Sequence, residues 1–159
     1  MAVDYFLKIA GVDGESQDVK HKGEIDILSF SWGEANSASA AHGGSGGAGV
    51  GKVSMQDFHF TAKFSKASPK LFQSTASGKH FSEAVLTVRK AGEVPLDFLK
   101  WTMSNLLISS YQTSGAGEPD PLPTDQFSIN FQKIRVDLLV QNPGGTVVGS
   151  VNADFDLRP

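Results

Sequence analysis

The sequence predicts an all-β protein with one short helix. Three observations predict it: apolar and polar residues alternate in one segment after another, clusters of Gly, Pro, Ser and Asp separate those segments, and a single stretch has helix signals. A series of antiparallel strands of this kind folds into a barrel or a sandwich. The 159 residues fit one compact core, so we expect residues 1–159 to form a single domain.

Period-two alternation marks the strands of the first half of the chain. The opening strand has a predicted buried face made of Val3, Tyr5, Leu7 and Ile9. In the next segment the alternation changes phase between Ile27 and Leu28, which predicts a β-bulge in a long, bent strand. Beyond the bulge the predicted buried face consists of Leu28, Phe30 and Trp32. The next two strands are predicted to bury Phe58, Phe60, Ala62 and Phe64, and then Ala84, Leu86 and Val88.

The rest of the chain adds four predicted strands and is preceded by one predicted helix. The strands are Val94–Trp101, Asn105–Gln112, Phe127–Val140 and Val147–Leu157. The helix is predicted because Ser68 can cap it, Pro69 suits its first position and Gly78 can close its C-terminus. Its predicted buried face consists of Leu71, Phe72 and Thr75.

Several predicted strands are apolar on both faces. Phe6 lies opposite the face of Tyr5 and Leu7, and Leu138 to Val140 form a continuous apolar run. One face of a sheet in a small domain normally meets water, so a two-sided strand indicates that another surface covers it. Self-association would supply that cover, and bulged strands within the core are the alternative.

Charge and composition limit the classes of partner. With a net charge of −3 and a pI near 5.7, the chain lacks the basic footprint of a nucleic-acid-binding protein. No apolar run approaches the roughly 20 residues that span a bilayer, and the first residues do not resemble a signal peptide. The absence of cysteine excludes disulfides and thiolate metal sites. We expect neither nucleic-acid binding nor membrane insertion.

A loop rich in Ser, Ala and Gly is predicted at Ser37–Gly51. Its spacing satisfies three motifs: a phosphate-binding loop at Gly46–Lys52, a dinucleotide-binding loop at Gly44–Gly49 and a nucleophile elbow at Gly43–Gly47. Each motif needs a helix directly after it, and here Val53 begins a strand. We therefore expect no nucleotide, but a loop that becomes ordered against a neighbouring subunit or ring. The residues predicted to make that contact are Gly43, Gly44, Gly46, Gly47, Gly49, Gly51 and Lys52.

The titratable residues form no catalytic or metal-binding pattern. The histidines lie in separate segments without ligand spacing, so neither a metal nor another cofactor is predicted: His21, His42, His59 and His80. His59 lies within an aromatic strand and is interpreted as half-buried packing or as an interface residue. A chain of this length contains Ser, His and Asp by chance, so we expect a protein that is not an enzyme.

Short ordered matches to a known family run through residues 2–92. They include Val3–Ile9, Leu28–Gly33, Gly49–Val53, Lys66–Pro69 and Leu86–Gly92. Taken in this order, they resemble the haemolysin-coregulated protein (Hcp) family, the tube protein of bacterial type VI secretion. Beyond Val94 the similarity is one of strand pattern, and in residues 146–159 it is one of alternation alone.

The resemblance implies a β-barrel of two antiparallel sheets with a flanking helix, acting as one subunit of a hexameric ring around a wide channel. In the family these rings stack into a tube that lies inside a contractile sheath, is tipped by a spike protein and carries small effectors. The implied partners are further copies of the chain, effector proteins, and the spike and sheath proteins. The implied location is the cytoplasm, followed by secretion without a signal peptide.

Strand alternation then assigns two serines to the channel. With Phe30 and Trp32 on the core side, Ser29 and Ser31 lie on the opposite face. Small polar side chains suit a wall that holds cargo weakly, so Ser31 and Ser29 are predicted to face the lumen and contact effectors. The alternatives for this face are exposure to solvent or packing against a neighbouring subunit.

Two other functions are compatible with the sequence. The first is a monomeric β-barrel that binds a small ligand in its interior. The second is a hydrolase, with Ser45 as the serine in an elbow-like setting. The assembly state, a search for bound ligand and a turnover screen distinguish these functions from a tube subunit.

Overall fold

The structure is a computed structural model that describes residues 2–36, 52–117, 119 and 121–158. It contains ten strands and one helix within those residues. In chain order these elements are β1 (Val3–Ile9), β2 (Ile25–Ile27), β3 (Ser29–Ser31), β4 (Glu34–Asn36), β5 (Val53–Met55), β6 (Phe58–Lys63), α1 (Ser68–Ser77), β7 (His80–Lys90), β8 (Leu96–Ser114), β9 (Thr124–Gln141) and β10 (Val147–Asp156). No helix of the described part is long and apolar enough to cross a membrane.

The strands form two antiparallel sheets, which confirms the predicted fold class. The larger sheet has the order β2-β1-β7-β8-β9-β6-β3, and β10 pairs with β9 beside this path. The 18-residue β9 has two neighbours on one edge: its first half pairs with β6 and its second half with β10. The second sheet consists of β4 and β5 alone. Consequently β10 continues the sheet past the end of β6.

The predicted barrel is not closed by strand pairing, because β2 and β3 are the two ends of the sheet path. The chain bends at Leu28, where the sequence predicts a bulge in one long strand. Two separate strands of three residues result, since β2 pairs with β1 and β3 pairs with β6. Leu28 was predicted to be buried and is instead 52% exposed. Its backbone N–H donates to the carbonyl of Thr61 at 2.7 Å.

The core lies between the inner faces of the curved sheet and α1. Most of the predicted core positions are confirmed as buried: Leu7, Ile9, Phe58, Phe60, Ala62, Ala84, Leu86 and Val88. Tyr5, Phe30 and Trp32 are half-buried and pack against this cluster. Val3 and Phe64 are exceptions, because each lies at the end of its segment, where the sheet no longer covers the side chain.

The two predicted strands at 94–101 and 105–112 form a single strand, β8. Asn105 has a φ of 50°, a left-handed conformation that is rare for residues other than Gly. The register with β9 also shifts between Ile108 and Ser110, so Ser109 is an extra residue in the ladder. These irregularities bend β8 without ending it, and they separate the two alternating patterns that the sequence presents as two strands.

The helix begins and ends close to the predicted residues. Gly78 adopts a φ of 68° and closes its C-terminus, as predicted. Ala67 occupies the cap position in place of Ser68, whose buried hydroxyl donates to the carboxylate of Asp125. Leu71 is buried, but Phe72 was predicted on the same face and is 62% exposed. One residue turns about 100° around a helix, so Phe72 lies beside the buried face rather than on it.

Candidate functional site, an uncharged polar wall

The face of the main sheet that points away from the core carries two cross-strand rows of polar residues. The first row runs from Ser31 on β3 to His59, Ser128 and Ser110. The second row runs parallel to it through Ser29, Thr61, Gln126 and Gln112. Residues opposite one another in an antiparallel sheet are side-chain neighbours. We call these eight residues the polar wall.

A row of aromatic residues supports the polar wall from inside the core. Phe30 lies opposite Phe60, which lies opposite Phe127, and Tyr111 completes this row on β8. The rings of Phe60 and Phe127 stack with centroids 5.2 Å apart. Side chains alternate between the two faces along each strand. The same strand segments therefore present aromatic side chains to the core and polar side chains to the outer face.

Hydroxyl groups are concentrated where the polar wall reaches β8. The Oγ atoms of Ser109 and Ser110 lie 2.7 and 2.5 Å from Ser128 Oγ. Ser109 Oγ also donates to Asp57 Oδ2 at 2.6 Å, and Asn130 Nδ2 donates to Asp57 Oδ1 at 2.8 Å. Each of these polar groups is thus held by another, which keeps this end of the wall rigid.

The polar wall contains no Asp, Glu, Lys or Arg. Charged residues occur only at its ends along β6, where Asp57 precedes the strand and Lys63 is its last residue. His59 is the one titratable residue among the eight, and its side chain is exposed. A surface of this composition offers hydrogen bonds but little electrostatic attraction, so it favours weak and reversible contacts.

The predicted lumen residues lie on this surface. Ser29 and Ser31 are both exposed, and Phe30 between them is half-buried, which agrees with the predicted alternation. Their contact with effectors stays a prediction. Most of the predicted contact loop lies outside the described residues: Gly43, Gly44, Gly46, Gly47, Gly49 and Gly51. Ser45 and His42 also lie outside them. Lys52 is described and exposed, directly before β5.

The histidines have separate environments. His21 is buried, with hydrogen bonds from Nδ1 to Glu24 at 2.8 Å and from Nε2 to Asp97 at 3.0 Å. His59 is on the polar wall, not half-buried as one interpretation of the sequence had it, and His80 is exposed on β7. Among the described residues, no group of three or more His, Asp or Glu side chains could hold a metal ion.

Sequence matches extend over most of the chain. Residues 6–138 match the family described as "Type VI secretion system effector, Hcp". The chain belongs to this Hcp family. It is 45% identical over 150 residues to Protein hcp1 of Pseudomonas aeruginosa, covering 94% of this chain and 91% of the relative.

Solved structures have the same fold. Hcp1 from Salmonella typhimurium superposes with a TM-score of 0.79 at 34% identity, covering 99% of this chain and 96% of that one. A structure described as a type six secretion system protein has a TM-score of 0.90 at 28% identity, with coverage of 98% and 96%. The type VI secretion effector from Yersinia pestis has a TM-score of 0.78 at 30% identity, with coverage of 96% and 99%.

The family fixes the general role of the chain. It is a secreted structural protein of the type VI secretion tube, a component that assembles into oligomers. The predicted Hcp resemblance is therefore confirmed, and the family match extends beyond Val94 to residue 138.

The sequence interpretation of this Hcp surface missed most of the polar wall. It assigned Ser29 and Ser31 to this surface and interpreted His59 as packing or as an interface residue, but it singled out none of the other five residues that extend the rows across β6, β9 and β8. A usable signal was present, because polar residues recur with period two at His59 and Thr61, at Ser110 and Gln112, and at Gln126 and Ser128. The register that joins these pairs into one surface comes only from the structure.

Proposed function

We propose that this Hcp protein forms hexameric rings that stack into a tube, with the polar wall lining the channel in which small effector proteins travel. The observation that carries the proposal is the exposure of β10. All ten of its residues are exposed, although large apolar side chains are among them, and among the described strands it pairs with β9 alone. A surface of this kind needs a neighbouring subunit to cover it.

The apolar side chains of β10 continue onto β9. Val151 is 60% exposed and lies opposite Leu138, which is also exposed, and Phe155 is 48% exposed further along β10. An edge strand with unpaired backbone groups and apolar side chains favours contact with another protein surface. A contact between this surface and a different surface of the next copy is heterologous, and it closes into a ring when the rotation permits.

The polar wall provides the second part of the proposal. Ser31, and with it Ser29, contacts effectors, because the two residues begin the rows that run across the wall. Seven of the eight side chains, all but the buried Ser128, reach the surface, and their hydroxyl, amide and imidazole groups are ones that cargo can contact and leave. This composition supports transport of cargo rather than its permanent binding.

The glycine loop completes the contacts between subunits or rings. Gly43, Gly44, Gly46, Gly47, Gly49, Gly51 and Lys52 belong to the connection between β4 and β5, whose ends meet at the pair Asn36 and Val53. A ribbon of two three-residue strands is marginally stable by itself. Support from a neighbouring subunit would stabilise it, and glycines permit the close approach of two backbones that such support requires.

The remaining parts of the proposal concern partners, location and chemistry. The tube contacts sheath and spike proteins, and the chain passes from the cytoplasm to the outside. It has no catalytic role. The rival function, a small-ligand barrel, is not favoured, because large side chains are fully buried in the described interior: Phe58, Phe60, Phe127, Met103 and Ile129.

Light scattering and particle images of the purified protein test ring assembly. We expect six-fold rings with an open centre at micromolar concentration. Val151→Lys should reduce ring formation, because it places a charge in the apolar contact. Asn152→Lys is the matched control, since the adjacent side chain points to the opposite face of β10. A wild-type protein that stays monomeric, or Val151→Lys rings equal to those of wild type, would contradict the assembly proposal.

A further inference from the structure

The basic residues of the chain are unevenly neutralised. Arg89, Lys133, Arg135 and Arg158 each form an ion pair with an aspartate. Eight lysines form no ion pair with any residue that the structure describes, and six of these lie near one another: Lys8, Lys20, Lys22, Lys66, Lys70 and Lys79. Five of the six are exposed and Lys70 is half-buried. On a protein with a net charge of −3, this is a local excess of positive charge.

The six lysines adjoin one another around α1 and the connection between β1 and β2. Lys66 and Lys70 line one concavity together with Gly11 and Asp13. A second concavity contains the same Gly11 and Asp13, and its lysines are Lys8, Lys20 and Lys22. The neighbouring Lys70 lowers the pKa of Lys79. We call the six residues the lysine surface.

Two acidic residues near the lysine surface are engaged elsewhere, whereas Asp13 and Glu83, which lines a further concavity with Lys8, form no ion pair among the described residues. The carboxylate of Glu24 lies 2.8 Å from His21 Nδ1. The carboxylate of Asp18 binds Arg89. Asp13 is the acidic residue that lines both concavities, and it pairs with none of the lysines. The protein therefore leaves this positive charge for an external partner to neutralise.

The dimensions and composition of the surface indicate the class of partner. A long polyanion such as DNA would extend beyond the lysines onto a protein whose net charge is negative. In addition, neither concavity is lined by an arginine or an aromatic residue, the residue types that bind phosphates and stack on bases. A short run of carboxylates fits within the two concavities. Lysine ammonium groups on flexible stems suit such a contact, which would be reversible and sensitive to salt.

We propose that the lysine surface docks an acidic segment, rich in Asp and Glu, of a partner protein. The proposal does not depend on ring formation, since it concerns α1 and the β1–β2 connection and not β10 or the polar wall. The acidic segment would contact Lys66 and Lys70 in one concavity and Lys20 and Lys22 in the other.

Fluorescence anisotropy with the purified full-length protein and a labelled glutamate-rich peptide tests the proposal. We expect binding that weakens as salt rises, and that is roughly tenfold weaker in the triple variant Lys20→Gln, Lys66→Gln, Lys70→Gln. Lys100→Gln is the matched control, because Lys100 is exposed on β8 but lies opposite Asp137. It should bind the peptide as wild type does. Circular dichroism checks that the triple variant is folded.

Three outcomes would overturn the proposal. The first is equal peptide binding by the triple variant and wild type. The second is tighter binding of duplex DNA of equal charge, or of phosphatidylserine vesicles, than of the peptide. The third is a combined result: wild type does not bind the peptide, and the assembly size of the triple variant differs from that of wild type. This result would show that a second copy of the chain covers the lysine surface. Sizing of wild type alone reports on ring formation, so failure of the two proposals is distinguishable.

Discussion

Ser68 Oγ donates a hydrogen bond to the carboxylate of Asp125, and this contact ties the first turn of α1 to β9. Asp125 is only 1% exposed, and its other oxygen accepts a hydrogen bond from the Tyr111 hydroxyl at 3.0 Å. Burial, together with the adjacent Asp125, raises the pKa of Tyr111. One carboxylate thus joins the helix to two strands directly behind the polar wall.

Removing that carboxylate should lower the stability of the fold. Asp125→Ala leaves the buried hydroxyl of Ser68 and the half-buried hydroxyl of Tyr111 without their acceptor, and we expect the free energy of unfolding to fall by about 3 kcal/mol. Ser77→Ala, at the far end of α1, is the control and should change it by less than about 0.5 kcal/mol. Urea denaturation measures both values. Equal midpoints for the two variants would show that the helix is held by Leu71 and its apolar neighbours alone.

The pair of Asp18 and Arg89 should make stability depend on acid. A hydrogen bond from Arg89 lowers the pKa of Asp18 from 3.8 to about 2. The folded state therefore binds this proton less tightly than the unfolded state does. The stabilisation is complete above the ordinary pKa of 3.8 and is lost as the pH falls towards about 2.

Asp18→Asn tests this dependence. We expect its urea midpoint to be lower than that of wild type at pH 6, with the difference disappearing as the pH approaches about 2. Asp13→Asn, on the same connection but without an ion pair among the described residues, should not show this change with pH. A difference between Asp18→Asn and wild type that stays constant with pH would contradict the assignment.

Gly14 is required where the β1–β2 connection folds onto itself. A Cβ atom at Gly14 would lie 2.4 Å from the carbonyl oxygen of Glu24, and this carbonyl already accepts a hydrogen bond from the backbone of Ser16. Gly14→Ala should therefore lower the free energy of unfolding by about 2 kcal/mol or more. Gly92→Ala is the matched control, because a Cβ there meets nothing within 4 Å. Thermal or urea unfolding that ranks the two variants equally would refute the clash.

The sequence pattern predicted the strands better than the surface they build. Alternation correctly separates Phe30 from Ser29 and Ser31, because it depends on one strand alone. The pairing of Ser31 with His59, and of His59 with Ser128, depends on a register between segments far apart in the chain. The left-handed Asn105 shows the same limit, since no local residue type requires that kink inside β8.

The polar wall leads to a prediction about cargo. Ser31 is exposed at the edge of the first row, directly opposite His59, so a larger side chain there projects from the wall without disturbing Phe30 behind it. Ser31→Gln adds bulk, and Ser31→Asp adds a charge to a surface that has no carboxylate. Both variants should form rings as wild type does, because no core atom is lost, and both should retain and export less effector.

The same reasoning extends the test along the second row. Gln126→Glu adds a carboxylate of nearly unchanged size between Thr61 and Gln112, so it should reduce effector loading if charge alone disturbs the wall. Ser54→Gln and Ser54→Asp are the matched controls, since Ser54 is an exposed serine on β5, in the other sheet. Co-purification measures the amount of effector held per ring, and culture supernatants report its export. If the Ser31 and Gln126 variants form rings and load effector at the level of the Ser54 controls, cargo does not contact this wall.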